Sequence, residues 1–126
     1  MKIQDYVFKF DGDFYHPIMD DIKVSTIRAN SKPVDIGDLV YGYFQSIEKA
    51  CVLEIINHYS MRLKDLRGYE AQNEGYGHQD LLKHELKNIY PTLNDEDYVF
   101  IYQFKVIRNN VRRTINSFLD NMKKEG

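Results

Sequence analysis

The segment YVFIYQFKVI, residues 98–107, carries the strongest strand signal in this chain of 126 residues. It is rich in aromatic and β-branched residues, which favour strands, and its largely apolar character predicts a central position in a sheet. Shorter strands are predicted on its N-terminal side, over residues 6–10, 24–28, 39–44 and 51–56.

Helical spacing is found on both sides of the central strand. Residues 69–74 predict a short helix that ends at Gly75, and residues 79–90 predict a longer one that Pro91 ends. An additional helical turn is predicted over residues 18–21. The C-terminal segment has an apolar face that predicts an amphipathic helix packed on the domain: Val111, Ile115, Phe118, Leu119 and Met122.

Together these elements predict an α+β, mostly β, fold with about five strands and two or three helices. There is no βαβ alternation, so antiparallel or mixed pairing is favoured, and closure into a small barrel would protect the strand edges. The length and the mass of 15.0 kDa fit a single domain.

The composition excludes several classes of protein. Hydrophobic residues make up 43% of the chain and charged residues 29%, which is typical of a globular domain and not of a disordered one. The one cysteine, Cys51, suits a reducing compartment. No signal peptide and no membrane-spanning run is apparent, so we expect a cytoplasmic protein without a membrane partner. No zinc spacing or Gly-rich phosphate loop is present, and we expect no metal and no cofactor.

The net charge of −2 is unevenly distributed. Residues 1–104 carry 11 basic and 17 acidic side chains, whereas residues 105–126 carry 6 basic and 2 acidic ones. Affinity for nucleic-acid backbones comes largely from Lys and Arg, so the body is a poor general polyanion binder. The basic end could contact RNA, or it could simply be the solvated face of a helix.

One short motif could carry chemistry: Lys23-x-x-Thr26-x-Arg28. Thr26 and Arg28 share a face if they lie on one strand, because side chains alternate with a period of two. Lys23 lies before the strand, where it could fold over and reach the same space. A hydroxyl between two cations is a candidate nucleophile or anion-binding group, and a partly buried lysine beside a fixed positive charge could act as a base.

The order of these motifs resembles the ASCH domain family, whose members have a PUA-like β-barrel. The resemblance rests on Lys23-x-x-Thr26-Ile27-Arg28, then Gly37-Asp38, Ala71-x-x-Glu74-Gly75, Ile89-Tyr90-Pro91 and residues 98–104. It covers roughly residues 5–108, which implies an ASCH domain over 1–108 and a C-terminal helix over 109–126. It is closest to bacterial members that act as N(4)-acetylcytidine amidohydrolases.

The resemblance implies roles for individual residues. Lys23 would be the base, Thr26 the nucleophile and Glu74 the acid/base. Arg28 would hold the substrate or shape the pocket, and Tyr76 or Tyr43 could stack on its base. Glu74 could also be an ordinary carboxylate at a helix end, facing water.

Three functions therefore stay open. The first is an enzyme that binds a modified nucleoside in a cleft of the barrel and hydrolyses an N-acyl amide such as that of N(4)-acetylcytidine. The second is a non-catalytic RNA-binding module that uses the same cleft and the basic end. The third is a protein-interaction domain that presents the C-terminal helix. We expect a monomer in each case.

Overall fold

The computed structural model describes residues 1–125, which form five strands and four α-helices. The strands are β1 (Val7–Phe10), β2 (Ser25–Arg28), β3 (Leu39–Phe44), β4 (Lys49–Arg62) and β5 (Tyr98–Ile107). The helices are α1 (Tyr15–Met19), α2 (Gly68–Asn73), α3 (Gln79–Ile89) and α4 (Arg112–Glu125).

The strands form one curled sheet in the order β1-β3-β4-β5-β2. Strands β1 and β3 pair in parallel, and the other three pairings are antiparallel. The sheet has the mixed, mostly β character that the sequence predicts and is consistent with a PUA-like half-barrel. The helices number four instead of two or three, because the turn predicted over residues 18–21 belongs to a helix that begins earlier, at Tyr15.

Strand β4 is 14 residues long, far longer than the predicted strand over residues 51–56. The pairing with β5 shifts between Ile55 and Asn57, which is the mark of a β-bulge. Beyond the bulge, residues 57–62 continue the ladder with mostly exposed side chains. Sequence patterning missed this half because only Tyr59 and Met61 turn to the outer core, and both are only half-buried.

Two apolar cores lie on the two faces of the sheet. The inner core is built from the strands and α1 and includes Phe8, Phe10, Ile18, Val40, Phe44 and Phe104. The outer core lies under α2 and α3 and includes Ile27, Leu66, Ala71, Leu82, Leu86 and Ile101.

Gly42 on β3 allows the inner core to pack closely. A Cβ there would come within 3.0 Å of Cys51 Sγ and 3.2 Å of a ring carbon of Phe10.

Burial raises the pKa of Cys51 to about 12, so this thiol stays protonated and is a poor nucleophile.

The edge strands β1 and β2 face each other without pairing. The gap is bridged by Arg28, whose Nη2 donates to the carbonyl oxygen of Lys9 over 2.9 Å. The guanidinium also lies over the rings of Phe8 and Phe10, 5.2 and 5.3 Å from their centres. A side chain thus joins the two edges where a ladder of backbone hydrogen bonds would close a full barrel.

Helix α4 packs on the outer face of β3. The rings of Phe118 and Tyr41 stack with their centres 4.1 Å apart, and the apolar face predicted for this helix is its half-buried face. The basic residues Arg112 and Arg113 are exposed. Within residues 1–125, no helix combines the length and the apolar character needed to cross a membrane.

A buried carboxylate, that of Glu70, anchors the start of α2. It accepts hydrogen bonds from the backbone and side chain of Arg67, at 2.6 to 2.9 Å, and from the hydroxyl of Tyr59 at 2.8 Å. Burial alone would raise the pKa of Glu70, but these hydrogen bonds outweigh it and lower the pKa below its ordinary value of 4.5.

We predict that Glu70 makes folding sensitive to acid. Because its pKa is lower in the folded chain than in the unfolded one, its contribution is fully present above about pH 4.5 and is lost as the pH falls through the folded pKa. Glu70→Gln should lower the free energy of unfolding by about 1–3 kcal/mol at pH 7. It should also flatten the pH dependence in urea unfolding.

The exposed Glu48→Gln is the matched control and should leave both quantities unchanged. An equally steep loss of stability in acid for Glu70→Gln and the unaltered chain would contradict the assignment.

Candidate functional site

A cavity of about 340 Å³ lies at the gap between β1 and β2, with α3 along one side. The strand edges contribute Lys9 and Phe10 from β1 and residues 26–28 from β2. The cavity also takes in Lys23, Glu74 and Tyr76. The sequence motif, the end of α2 and the free edges of the sheet therefore meet at one place.

Strand β2 supplies this cavity from both of its faces. Thr26 and Arg28 point to the side of the inner core, because Arg28 lies on the Phe8 and Phe10 rings. Ser25 and Ile27 point to the opposite side, below α2 and α3. A cavity at the edge of a strand is accessible to both sets, which explains how residues of opposite parity line it.

Two backbone features bring Glu74 beside Lys23. Gly75 adopts a φ of +88° and its N–H donates to Gln72, while the N–H of Tyr76 donates to Ala71, so α2 ends in a Schellman motif. The last helical carbonyl, that of Asn73, accepts from the N–H of Val24 at 2.8 Å. This bond fixes the segment before β2 against the end of α2.

Lys23 and Glu74 form a buried ion pair. Lys23 Nζ lies 2.8 Å from Glu74 Oε1, and the two side chains are only 6% and 5% exposed. The other carboxylate oxygen, Oε2, accepts a hydrogen bond from Ser25 Oγ. The solvent-facing alternative for Glu74 is therefore wrong, because both of its oxygens have partners inside the protein. The ammonium also lies 5.0 Å from the centre of the Phe14 ring.

Thr26 has a different partner. Its Oγ1 accepts a hydrogen bond from Arg28 Nε at 3.0 Å, and the residue is 4% exposed. The two residues share a face of β2, as the sequence predicts. Since Nε uses the oxygen as an acceptor, the hydroxyl proton of Thr26 stays available for another acceptor.

The structure places the two candidate stacking tyrosines far apart in the fold. Tyr76 lines the cavity, and burial raises its pKa, as do the charges of Glu85 and Glu74, so its hydroxyl is a donor at neutral pH. Tyr43 lies on the outer face of β3, where its ring meets Phe118 of α4 edge to face at 5.9 Å. It belongs to a separate cavity of about 290 Å³ beside α4.

Sequence reasoning missed two polar groups of the site. Ser25 contacts Glu74, and it could have been found from its strand parity, which is that of Lys23. Glu85 on α3 lines the cavity. Helical spacing alone does not show which side of α3 approaches a gap in the sheet.

Comparison with known proteins identifies the fold. No family model and no curated protein matches the sequence. Protein EF3133 of Enterococcus faecalis V583, from the DUF984 family, is a structural neighbour with a TM-score of 0.69 and 13% identity over 85% of this chain and 78% of that one. The ASCH domain of Lactobacillus crispatus JV V101 gives a TM-score of 0.63 and 12% identity over 79% of each chain.

The ASCH protein of Zymomonas mobilis gives a TM-score of 0.61 and 10% identity over 81% of this chain and 69% of that one. The chain therefore has the fold of ASCH domain proteins. Identities this low establish a shared fold and leave activity to the site itself.

The buried ion pair leads to a prediction about stability. Lys23→Met leaves the Glu74 carboxylate buried without its cation, which should lower the free energy of unfolding by about 3–5 kcal/mol. The double variant Lys23→Met/Glu74→Gln removes both charges and should recover a large part of this loss. Urea unfolding of the two single variants and the double variant measures the coupling.

Strictly additive losses in the double variant would show that the two side chains do not interact. A loss below about 1 kcal/mol for Lys23→Met would match an exposed ion pair and would contradict its burial.

Proposed function

We propose that this protein binds an N-acylated nucleoside in the cavity between β1 and β2 and hydrolyses its amide, with N(4)-acetylcytidine as the first substrate to test. The observation that carries the proposal is the meeting of Lys23, Thr26 and Glu74 at one cavity. These are the three residues to which the ASCH resemblance gives catalytic roles.

The size and charge of the cavity favour a small neutral ligand. A volume of about 340 Å³ lies at the lower end of the range for small-molecule sites. Its ionisable lining is balanced between three cations and three anions: Lys9, Lys23, Arg28, Asp11, Glu74 and Glu85. A phosphate would meet no excess of positive charge, so a nucleoside fits better than a nucleotide.

Acyl transfer to Thr26 can be written with all protons accounted for. Lys23 passes a proton to Glu74 across their 2.8 Å hydrogen bond, and the neutral amine then takes the hydroxyl proton of Thr26. Thr26 Oγ1 attacks the carbonyl carbon, and the C–N bond breaks as Glu74 gives its proton to the leaving nitrogen. The acyl group remains as an ester on Thr26.

Hydrolysis of the ester reverses these roles. A water molecule loses a proton to Glu74 and attacks the ester carbon, while Lys23 returns a proton to Thr26 Oγ1 as the C–O bond breaks. The proton on Glu74 then passes back to Lys23, which restores the ion pair. The products are the free amine and a carboxylic acid, so no redox partner or metal is needed for the balance.

Arg28 serves this site mainly as a positioning residue. Its Nε is bound to Thr26 and its Nη2 to the Lys9 carbonyl, while two aromatic rings fix the plane of the guanidinium. A cation in this position stabilises negative charge on Oγ1 as the proton leaves. In its second proposed role, holding the substrate, Arg28 can use only those guanidinium N–H groups that are not bound to Thr26 or Lys9.

The test is turnover of N(4)-acetylcytidine to cytidine, followed by chromatography. Thr26→Ala should lose at least about 10³-fold in kcat, because the nucleophile is removed. Thr26→Ser keeps a hydroxyl and is the matched control, and it should retain measurable turnover. Thermal unfolding of both variants checks that the fold is intact.

Full activity of Thr26→Ala would exclude Thr26 as the nucleophile. No turnover by the unaltered chain, with binding intact, would leave a nucleoside-binding domain without this chemistry.

A second function, RNA binding, is favoured by the exposed basic residues of α4. Arg112, Arg113, Lys123 and Lys124 all lie on its solvent side, whereas none of the α4 residues that the structure describes lines the cavity. An RNA bound to this helix would contact these basic side chains mainly through its phosphates.

Arg112→Gln/Arg113→Gln separates the two functions. If RNA binds α4, this double variant should weaken binding of a single-stranded RNA and lower its salt dependence, with turnover of N(4)-acetylcytidine unchanged. Lys2→Gln is a control that removes one exposed cation elsewhere on the surface. Equal RNA affinity of the double variant and the unaltered chain at low salt would exclude α4 as an RNA site.

A further inference from the structure

The backbone of β2 offers hydrogen-bonding groups to the cavity in addition to its side chains. Strand β2 pairs only with β5, with Thr26 opposite Tyr102 and Ile27 opposite Ile101. In an antiparallel pair, alternate residues direct their N–H and C=O groups to the partner strand, and the residues between them direct these groups away.

One hydrogen bond just before β2 shows which residues direct their backbone groups toward β5 and which direct them away. The N–H of Phe104 donates to the carbonyl of Val24 over 3.0 Å, and these two residues are opposite each other in the same register. The carbonyl of Val24, just before the strand, and the backbone groups of Thr26 and Arg28 within it therefore face β5, while the N–H of Val24 donates to Asn73. It follows that the N–H and C=O of Ile27 face the opposite way, toward the gap with β1.

Ile27 is buried in the outer core through its side chain and also lines the cavity. Its N–H lies on the side of β2 that faces away from β5, so it takes no part in the ladder between these two strands. A backbone N–H on the unpaired side of an edge strand, in a residue that lines a cavity, is placed to donate to a ligand in that cavity.

We infer that the N–H of Ile27 binds the carbonyl oxygen of the acyl group of the ligand. This inference rests on the proposed function and adds a group to it. The peptide between Thr26 and Ile27 lies in the plane of the strand, with the Thr26 hydroxyl on one face and Glu74, bound by Ser25, on the other. The Lys23 ammonium contacts Glu74 and also the Phe14 ring, which packs on the inner core on the Thr26 side. A carbonyl bound at this N–H has the nucleophile on one side and the proton donor on the other.

The bond also has a chemical consequence. As Thr26 attacks, negative charge develops on the carbonyl oxygen, and a backbone N–H fixed by a strand stabilises it without reorganisation. Arg28 Nε is occupied by Thr26, so it is not free to take this role. The backbone of β2 thus supplies the oxyanion donor next to the nucleophile.

The amide of Ile27 can be observed directly by NMR in uniformly ¹⁵N-labelled protein, together with the amides of the other cavity residues. Thr26→Ala holds N(4)-acetylcytidine without turnover, and we expect the Ile27 amide proton to shift and its hydrogen exchange to slow on titration. Ile101 is the internal control, because it lies between β2 and β4 within the sheet and should change little. Cytidine, which lacks the acyl group, should not slow the hydrogen exchange of the Ile27 amide.

A matched pair of variants tests the role in turnover. Ile27→Pro removes the N–H and the side chain, whereas Ile27→Ala removes only the side chain, and the missing N–H makes no ladder bond to β5. Ile27→Pro should be slower than Ile27→Ala by about 10²-fold or more in kcat. The NMR titration decides the matter if the proline variant does not fold.

The outcomes separate this inference from the proposed function. Protection of Ile27 with N(4)-acetylcytidine and its absence with cytidine supports both. Changes at ¹⁵N-labelled Lys23 and Tyr76 with an unaffected Ile27 would overturn the inference alone. No change at any cavity residue at millimolar ligand would overturn both.

Discussion

The sheet of this protein ends in two strands that face each other across a gap, and the site exists because Arg28 spans this gap without closing it. A continuous ladder between β1 and β2 would fill the space with backbone hydrogen bonds. Instead, one guanidinium binds the Lys9 carbonyl, rests on two phenylalanine rings and holds Thr26. The edge is stabilised at one point, and the remaining edge groups stay accessible to a ligand.

The second constraint is the buried pair of Lys23 and Glu74. A pair so poorly exposed contributes little net stability, because removing two charges from water offsets most of their attraction. The pair lies at the cavity, and in the proposed mechanism it serves as a reversible proton donor and acceptor. The Schellman end of α2 and the bond from Val24 to Asn73 keep it aligned, so the geometry does not depend on a mobile loop.

Much of this arrangement follows from sequence patterns. The central strand β5, the helix before Pro91 and the apolar face of the C-terminal helix were predictable, because each has a strong local period. The second half of β4 was not, since a bulge interrupts its alternation and most of its side chains are exposed. Local spacing also could not show that β1 pairs in parallel with β3, because that pairing depends on how the chain crosses over between them.

Sequence patterns likewise predict some features of the candidate site and not others. Thr26 and Arg28 share a face as strand parity predicts, whereas the contact of Lys23 with Glu74 joins positions 51 residues apart and needs the fold to reveal it. An aromatic residue type alone does not predict where a side chain lies, since the ring of Tyr43 packs on α4 and not in the cavity.

The central claim is that an acylated nucleoside occupies the gap between β1 and β2, and a crystal structure of Thr26→Ala with N(4)-acetylcytidine tests it most directly. The account predicts the acyl group between position 26 and Glu74, with its carbonyl oxygen within hydrogen-bonding distance of the Ile27 nitrogen. Nucleoside bound on the surface of α4, or an empty gap at saturating ligand, would contradict it.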